Sequence, residues 1–312
     1  MITLPNELSY SMLMKIAIIG SGSAAMQHYS AALGLGFDVA IISKRNTLDL
    51  LKFESVTACE KSFKPDSYII ANNTNLHFST YIEIRKCNGD IPVLCEKPFY
   101  FPEDAVIDSN LKIGLNLRFN PIISQLNVNR NLYLGKINSV SIEYGRDLRT
   151  WRKSGLRENS YSLSNELGGG VLRDLCHEID FLIYLFGKPN RLVSYGGSFT
   201  NITQNSSDIF EIILTSDTYD LARIHLDYVS PIPYRNIRII GKDLHILADL
   251  INNSIEINGN LVSFDNLDTF SIQLSKFIGN ESILPDAIHG TYLDKVLAAI
   301  EMSNTSKNWV SL

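Results

Sequence analysis

The stretch Lys15–Ala25, KIAIIGSGSAA, decides the fold of this chain. Its first five residues are almost wholly apolar, which is typical of a strand buried on both faces in a parallel sheet. The six residues Gly20–Ala25 fit the pattern G-x-G-x-x-[G/A], and residues Ala24–Leu35 have helical composition. In this context Gly20 permits a tight turn, and Gly22 lets the backbone approach a pyrophosphate at a helix N-terminus. The stretch predicts a dinucleotide-binding turn, with an ordinary small-residue turn as the alternative.

Beyond this turn, short apolar runs alternate with helical segments until about Asn120. Such alternation predicts βαβ units and an N-terminal Rossmann domain with a doubly wound parallel sheet. We expect that domain to span residues 13–120. Its further strands are expected at Phe37–Ser43, Ser67–Ala71, Ile91–Cys95 and Leu111–Leu117, with a helix at Thr74–Lys86.

From residue 121 to 312 the pattern changes, because apolar and polar residues alternate over longer runs. Alternation of this kind favours an open, mostly antiparallel sheet with one solvated face. Helices are expected over Asp174–Phe186 and over roughly Asp286–Ser303, so this part is predicted to be a C-terminal α/β domain. The strand-like runs are Ile137–Tyr144, Arg191–Phe199, Asp208–Thr215, Leu221–Tyr228 and Arg235–Ile240.

The composition bounds the possible partners of the chain. Its 312 residues are 45% apolar and carry a net charge of −5, which gives no basic bias toward nucleic acid. No apolar run approaches the ~20 residues that span a bilayer, and Met1–Met14 lacks the basic start of a secretory signal. The scattered cysteines favour reduced thiols in a cytoplasmic protein, and no HExxH or Cys/His cluster indicates a metal.

The end of the second predicted strand bears on the choice of cofactor. An enzyme that uses NAD usually has an acidic residue there for the ribose hydroxyls, whereas this chain has Ser43, Lys44 and Arg45. A hydroxyl and two cations would attract a 2′-phosphate, which favours NADP over NAD. The alternative is that both cations are solvated loop charges and that either cofactor is used.

Three further motifs stand in order along the chain. The first is Asp66–Thr74 with His77, the second is Leu94-Cys95-Glu96-Lys97-Pro98, and the third is Gly168–Asp180, GGGVLRDLCHEID. Together with Gly114–Pro121 and Tyr161-Ser162, they resemble the glucose–fructose oxidoreductase / inositol dehydrogenase / MocA family over nearly the whole chain. One departure is that only two residues separate Asp174 from His177, where many members have three. This variant resembles members that act on surface-polysaccharide sugars.

The resemblance implies hydride transfer at a sugar carbon and a C-terminal domain whose open sheet packs on another subunit, as a homodimer or tetramer. By the same resemblance Lys97, His177 and Asp174 are the predicted catalytic residues. An imidazole that titrates near neutrality suits proton transfer, and a lysine at a strand end can polarise the substrate oxygen. The structural alternatives are a buried core histidine for His177 and a helix cap for Asp174.

The remaining site predictions fall into two groups. Aromatic rings that could stack on a sugar and arginines that could bind its anionic groups are predicted to contact substrate. With Asp174 and His177, these are Arg118, Trp151, Arg152 and Tyr161. The predicted cofactor-binding residues are Gly20, Ser21, Gly22, Ser23, Ala24, Ala25, Ser43, Lys44, Arg45, Ala71, Asn72, Asn73, Thr74, His77, Glu96 and Lys97.

These observations lead to an expected NAD(P)-dependent sugar or sugar-nucleotide oxidoreductase with NADP as the favoured cofactor. Two alternatives from other classes remain. One is a dinucleotide-binding regulator without catalysis, against which the presence of Lys97 and His177 argues. The other is an NAD-dependent glycoside hydrolase on the same fold, in which the cofactor is recycled within each turnover.

Overall fold

The computed structural model describes residues 14–45, 50–102, 104–133, 137–151, 160–203 and 205–312. Within them, six parallel strands form the first sheet in the order β3-β2-β1-β4-β5-β6, the doubly wound order of a Rossmann fold. The predicted fold class is therefore confirmed for this half. The strands are β1 Lys15–Ile19, β2 Asp38–Ile42, β3 Lys52–Phe53, β4 Ser67–Ile70, β5 Val93–Glu96 and β6 Leu111–Gly114.

Helices connect these strands and cover the faces of the sheet. They are α1 Ser23–Gly34, α2 Val56–Ser62 and α3 His77–Cys87. Strand β6 is shorter than the run Leu111–Leu117 suggested, because the backbone turns into a 3₁₀ segment at Asn116–Phe119. Since the strands are parallel, their carboxyl ends at Gly20, Ala71 and Lys97 meet at one edge of the sheet.

The second sheet is open and mostly antiparallel, as predicted. Its nine described strands run in the order β14-β13-β12-β11-β7-β10-β9-β8-β15, and only the β7–β10 pair is parallel. Alternate side chains along β9 are buried, which fits one face on the core and one in water. The strands are β7 Ile137–Gly145, β8 Arg191–Gly197, β9 Ile209–Thr215, β10 Tyr219–Asp227, β11 Tyr234–Gly241, β12 Leu244–Asp249, β13 Ser254–Ile257, β14 Asn260–Ser263 and β15 Val310–Ser311.

The helices of the C-terminal half pack on both sheets. They are α4 Pro121–Val128, α5 Val171–Asp174, α6 His177–Phe186, α7 Thr269–Ile278 and α8 Ala287–Ser306. The single helix expected over residues 174–186 is thus two helices, because α5 ends at Asp174 and α6 begins at His177. Helix α7 packs against α1, and α8 contacts both β6 and β8, so the C-terminal segment holds the two sheets together. Among the described helices, none is long and apolar enough to cross a membrane.

Candidate active site

The Gly-rich turn has the geometry that a dinucleotide needs. Gly20 has a φ of +121°, and a β-carbon there would lie 2.4 Å from the carbonyl oxygen of Ala71. Gly22 caps α1 with no side-chain hydrogen bond, and a β-carbon there would meet no atom within 4 Å. The start of α1 at Gly22 and Ser23 therefore faces open space without a side-chain cap, while Ala24 is half-buried and Ala25 packs into the core. This arrangement fits an anion such as a pyrophosphate.

The residues after β2 join this turn. The Ser43 hydroxyl donates to Ser21 Oγ at 3.1 Å and accepts from the Arg45 backbone N–H at 3.1 Å. Lys44 and Arg45 are exposed, and residues 43–45 include no carboxylate. Beyond the end of β2 the chain therefore has a small polar link, from Ser43 to Ser21, and two exposed cations, Lys44 and Arg45.

The segment after β4 is tied to the segment after β5 by a buried histidine. His77 lies within hydrogen-bond distance of the Pro98 carbonyl oxygen at 3.0 Å and of the Asn72 carbonyl oxygen at 3.3 Å. Burial lowers the pKa of His77, so its neutral ring donates to one of these two acceptors at a time. The Asn72 amide donates to Thr80 Oγ1 at 2.8 Å, while its own oxygen is buried without a partner.

Glu96 is held by a residue that the sequence did not single out for this role. Its Oε1 lies 2.7 Å from Nε2 of His28, which is fully buried in α1, and its Oε2 accepts from the Lys97 backbone N–H at 3.3 Å. The edge of the His28 ring packs against Phe270 at 4.8 Å. Both carboxylate oxygens of Glu96 thus have partners inside the protein, and the carboxylate positions the backbone of Lys97.

Lys97 reaches from the first sheet to the C-terminal half. The Lys97–Pro98 peptide bond is cis, and the half-buried Lys97 ammonium donates to the Asp174 carbonyl oxygen at 2.5 Å. Two of the three predicted catalytic residues are therefore in direct contact, although the contact uses the Asp174 backbone and not its carboxylate.

The Asp174 carboxylate is buried and fixed by two hydroxyl groups. Its Oδ2 accepts from Ser162 Oγ at 2.6 Å and from the Tyr228 hydroxyl at 2.5 Å, while Oδ1 has no partner. Burial and the neighbouring carboxylate raise the pKa of Tyr228 well above its ordinary value, so its hydroxyl stays protonated as a donor. The sequence carried no signal for this pair, because Ser162 and Tyr228 are 12 and 54 residues from Asp174.

His177 is buried at the start of α6, and its Nδ1 has no hydrogen-bond partner. Burial, and then the positive charges of Lys97 and Arg235, lower its pKa well below the ordinary 6.5. The ring is stacked at 6.3 Å on Phe181. At neutral pH this imidazole is therefore uncharged, the form in which a histidine can accept a proton.

Gly168 and Gly169, in the triple glycine, lie where the backbone packs closely against other segments of the chain. A β-carbon on Gly168 would lie 2.8 Å from Thr74 Cβ, and one on Gly169 would lie 1.9 Å from the Tyr161 carbonyl oxygen. The Asn75 amide donates to the Glu166 carbonyl oxygen at 3.3 Å across the same contact. Glycine at 168 therefore lets the backbone approach Thr74, which follows Asn73, and glycine at 169 lets it pack against the backbone of Tyr161.

The residues that were predicted to contact substrate lie in different environments. Trp151 is half-buried and packs at 5.9 Å on Tyr228, next to Asp174, and the Tyr161 backbone lies against Gly169. Arg118 is only 8% exposed, and its guanidinium donates two hydrogen bonds to the Asp180 carboxylate, from Nε at 2.8 Å and from Nη2 at 2.5 Å. These contacts give Arg118 a role in holding helices together. Arg152 lies outside the described residues.

The described residues define a class of protein. A Gly-rich turn of the dinucleotide-binding type and Lys97 lie at one edge of a Rossmann sheet, and an open, mostly antiparallel sheet completes the fold. Among the residues placed by the structure, no group of three or more His, Cys, Asp or Glu could hold a metal ion.

Part of the chain matches the model of a known family. Residues 130–247 match the model of the GFO/IDH/MocA C-terminal domain, which confirms the resemblance that the sequence motifs indicated. Among curated proteins, none matches the chain in sequence.

Solved structures share the whole architecture. Levoglucosan dehydrogenase in complex with NADH has a TM-score of 0.82 at 16% identity, over 96% of this chain and 99% of that one. UDP-N-acetylglucosamine 3-dehydrogenase from Acidithiobacillus ferrooxidans has a TM-score of 0.74 at 17% identity, over 95% and 99%. GenD2 from gentamicin A biosynthesis, in complex with NAD, has a TM-score of 0.80 at 14% identity, over 99% of both chains. At such identities the likeness shows the fold.

Proposed function

We propose that this chain is an NAD(P)-dependent oxidoreductase that transfers a hydride between nicotinamide and a carbinol or keto carbon of a sugar or sugar nucleotide. The observation that carries the proposal is that the sheet edge with the Gly-rich turn also bears the Lys97 ammonium, whose charge helps to keep the buried His177 uncharged. Two solved structures of the same fold are dehydrogenases of sugars by name, levoglucosan dehydrogenase and UDP-N-acetylglucosamine 3-dehydrogenase, which supports the substrate class. The variant spacing of the third motif supports a role in making surface-polysaccharide sugars.

The residues present fit a nicotinamide dinucleotide. Gly22 leaves open space at the uncapped start of α1, where a pyrophosphate would meet free N–H groups. Bound nicotinamide supplies a site that accepts or donates a hydride at the reacting carbon.

The protein's own groups manage the proton. In the direction of alcohol oxidation, His177 takes the hydroxyl proton while the carbon loses hydride, and the carbonyl C=O bond forms. The Lys97 ammonium donates a hydrogen bond to the same oxygen and stabilises the negative charge that develops on it. Asp174 orients Lys97 through its carbonyl oxygen, and its carboxylate, with a free Oδ1, is available to a sugar hydroxyl.

We further propose that the preferred cofactor is NADP. The exposed Lys44 and Arg45 would pair with a 2′-phosphate, and the Ser43 hydroxyl lies between them and the Gly-rich turn. Exchange of Arg45 for Glu tests this, because a carboxylate would repel the phosphate while leaving the ribose hydroxyls of NAD acceptable. The ratio of kcat/KM for NADP to that for NAD should fall about tenfold or more. A wild-type enzyme that prefers NAD more than tenfold refutes the preference.

The test of function is a screen of free and nucleotide-linked sugars with NADP⁺ and NAD⁺, followed at the absorbance band of the reduced nicotinamide. We expect net cofactor reduction with at least one sugar, and Lys97→Met should lower kcat about a hundredfold or more. Lys86→Met, which removes an exposed lysine on α3, is the matched control and should leave kcat unchanged.

Each alternative has its own outcome in this screen. Released sugar without net cofactor change supports the glycoside hydrolase, and cofactor binding without any chemistry supports the regulator. Hydride transfer that stays within tenfold of wild type in Lys97→Met contradicts the catalytic assignment.

A further inference from the structure

The loop that follows Lys97 and Pro98 wraps around a carboxylate from the C-terminal helix. The Tyr100 backbone N–H donates to Asp294 Oδ2 at 2.6 Å, and the neighbouring backbone of Phe99 and Phe101 also acts to lower the pKa of this carboxyl. Tyr100 has a φ of +53°, in the left-handed region that non-glycine residues rarely adopt. A loop backbone that turns toward a carboxylate in this way forms an anion nest, and here the anion is Asp294 of α8.

Helix α8 also contacts the same loop one helical turn before Asp294. A β-carbon on Gly290 would lie 2.9 Å from Cγ of Phe99, so glycine at this place lets the fully buried ring lie against the helix. Phe99 is itself stacked on Phe101 at 3.8 Å. Since Gly290 and Asp294 are one helical turn apart, α8 fixes the loop by a ring contact and by hydrogen bonds on the same face.

The same helix also holds the group that accepts the Lys97 hydrogen bond. Arg173 pairs with Glu301 of α8 at 2.8 Å, and its guanidinium lies 5.6 Å from the centre of the Tyr100 ring. Arg173 precedes Asp174, whose carbonyl oxygen accepts from the Lys97 ammonium. Both ends of the Lys97–Asp174 contact are therefore held by α8, on one side through Asp294 and on the other through Glu301.

We propose that Asp294 is a positioning residue for Lys97, which it holds in place by binding the backbone of the 99–101 loop. The proposal rests on the proposed function only in giving Lys97 a part in the reaction. The position of the Lys97 ammonium can be measured without any substrate.

The ionisation of Asp294 supports this role. Burial raises the pKa of its carboxyl to about 7, against the opposing effects of the backbone N–H groups and of Arg173. The other titratable groups recorded next to it are the Cys95 and Cys176 thiols, which are uncharged at neutral pH because burial raises the pKa of Cys95 well above 9.0 and that of Cys176 to about 12. Above pH 7 the carboxylate accepts a charge-assisted hydrogen bond from the Tyr100 N–H. Below pH 7 the protonated form is a weaker acceptor and the loop loosens.

The experiment measures the rate at which acetic anhydride acetylates each lysine of the whole protein, read by mass spectrometry. Lys97 is half-buried and hydrogen-bonded, so its rate relative to exposed Lys86 is expected to be low in the wild type. In Asp294→Asn this ratio should rise about tenfold, because the neutral amide loses the charge-assisted bonds that fix the loop. Asp265→Asn is the matched control, since it makes the same change at an exposed carboxylate and leaves the Tyr100–Asp294 hydrogen bond intact.

The pH dependence provides a readout that a purely structural role would not move. In the wild type the Lys97-to-Lys86 ratio should rise as the pH falls through about 7, and in Asp294→Asn it should not change across this range. The wild-type series needs no variant, so it decides the question even if Asp294→Asn fails to fold. A ratio that is flat with pH in the wild type, or equal in wild type and folded Asp294→Asn, overturns the proposal.

Kinetics separate this proposal from the proposed function. With an active sugar from the screen, Asp294→Asn should lower kcat about tenfold with little change in the KM for the nicotinamide cofactor, because the Gly-rich turn is untouched. If labelling behaves as expected but no sugar is turned over, the proposed function fails and the positioning role stands. If sugars are turned over but labelling does not respond to Asp294, the reverse holds.

Discussion

Replacement of Gly20 by alanine places a β-carbon 2.4 Å from the Ala71 carbonyl oxygen and 2.7 Å from its carbonyl carbon. Both are backbone atoms at the end of the neighbouring strand β4, so neither can rotate away. A positive φ for a non-glycine residue costs roughly 1–3 kcal/mol, and overpacking of a tight site adds about 1–3 kcal/mol. We expect Gly20→Ala to lower the free energy of unfolding by about 3 kcal/mol or more, a Tm decrease of about 5 °C or more.

Replacement of Gly22 by alanine should instead change stability little and weaken cofactor binding. Gly22 has a φ of −81°, and a β-carbon there meets nothing within 4 Å, so the only stability cost is about 0.5–1 kcal/mol for alanine as an N-cap. That open space is where we place the pyrophosphate. Gly22→Ala should therefore weaken NADP binding about tenfold or more while the protein stays folded.

The assays are thermal melting by circular dichroism and titration of NADPH fluorescence. Gly36→Ala is the control for backbone strain alone, because Gly36 has a φ of +81° but no atom within 4 Å of the β-carbon position. It should cost about 1 kcal/mol and leave cofactor affinity unchanged. The reasoning is refuted if Gly22→Ala binds NADPH as tightly as the wild type, or if Gly20→Ala melts no lower than Gly36→Ala.

Three other perturbations have defined outcomes. Asp180→Asn leaves Arg118 buried without its carboxylate and should lower the free energy of unfolding by about 3–5 kcal/mol, as measured by urea denaturation; a loss below about 1 kcal/mol would contradict the buried pairing. His177 has a native pKa well below 6.5, so below that pH the unfolded state binds a proton that the native state does not, and stability falls as pH decreases by up to about 1.4 kcal/mol per pH unit. His177→Asn should remove part of this acid slope, and an unchanged slope would show that the ring is not held uncharged. Tyr228→Phe removes one of the two hydroxyl donors to the Asp174 carboxylate and leaves the one from Ser162. The free energy of unfolding should fall by about 1–3 kcal/mol, as measured by a thermal melt. An unchanged free energy would mean that the Tyr228 hydroxyl does not bind this carboxylate.

Much of the fold was predictable because its signals are local. Runs of consecutive apolar residues mark strands buried on both faces, and alternation marks strands with one wet face, so the two kinds of sheet were distinguishable in the sequence. The short strands β12–β15 were missed, since they carry exposed or mixed residues whose period is weak. Helix α7 was missed although Leu274 and Phe277 recur on one buried face. The split between α5 and α6 was also missed, because no proline or glycine marks the turn at Leu175-Cys176.

Local patterns in the sequence were enough to predict the Gly-rich turn, the longer strands of both sheets and the place of Lys97 and His177 in recognisable motifs. Each depends on residues that are neighbours in the chain, where backbone conformation and side-chain period are set locally. Only the tertiary structure decided the partners of these groups: His28 for Glu96, Tyr228 for Asp174, and Asp294 for the loop beside Lys97. These contacts join residues 54 to 194 positions apart. Hydrogen bonds at such separations form only once the two sheets have packed and excluded water, so no local pattern specifies them.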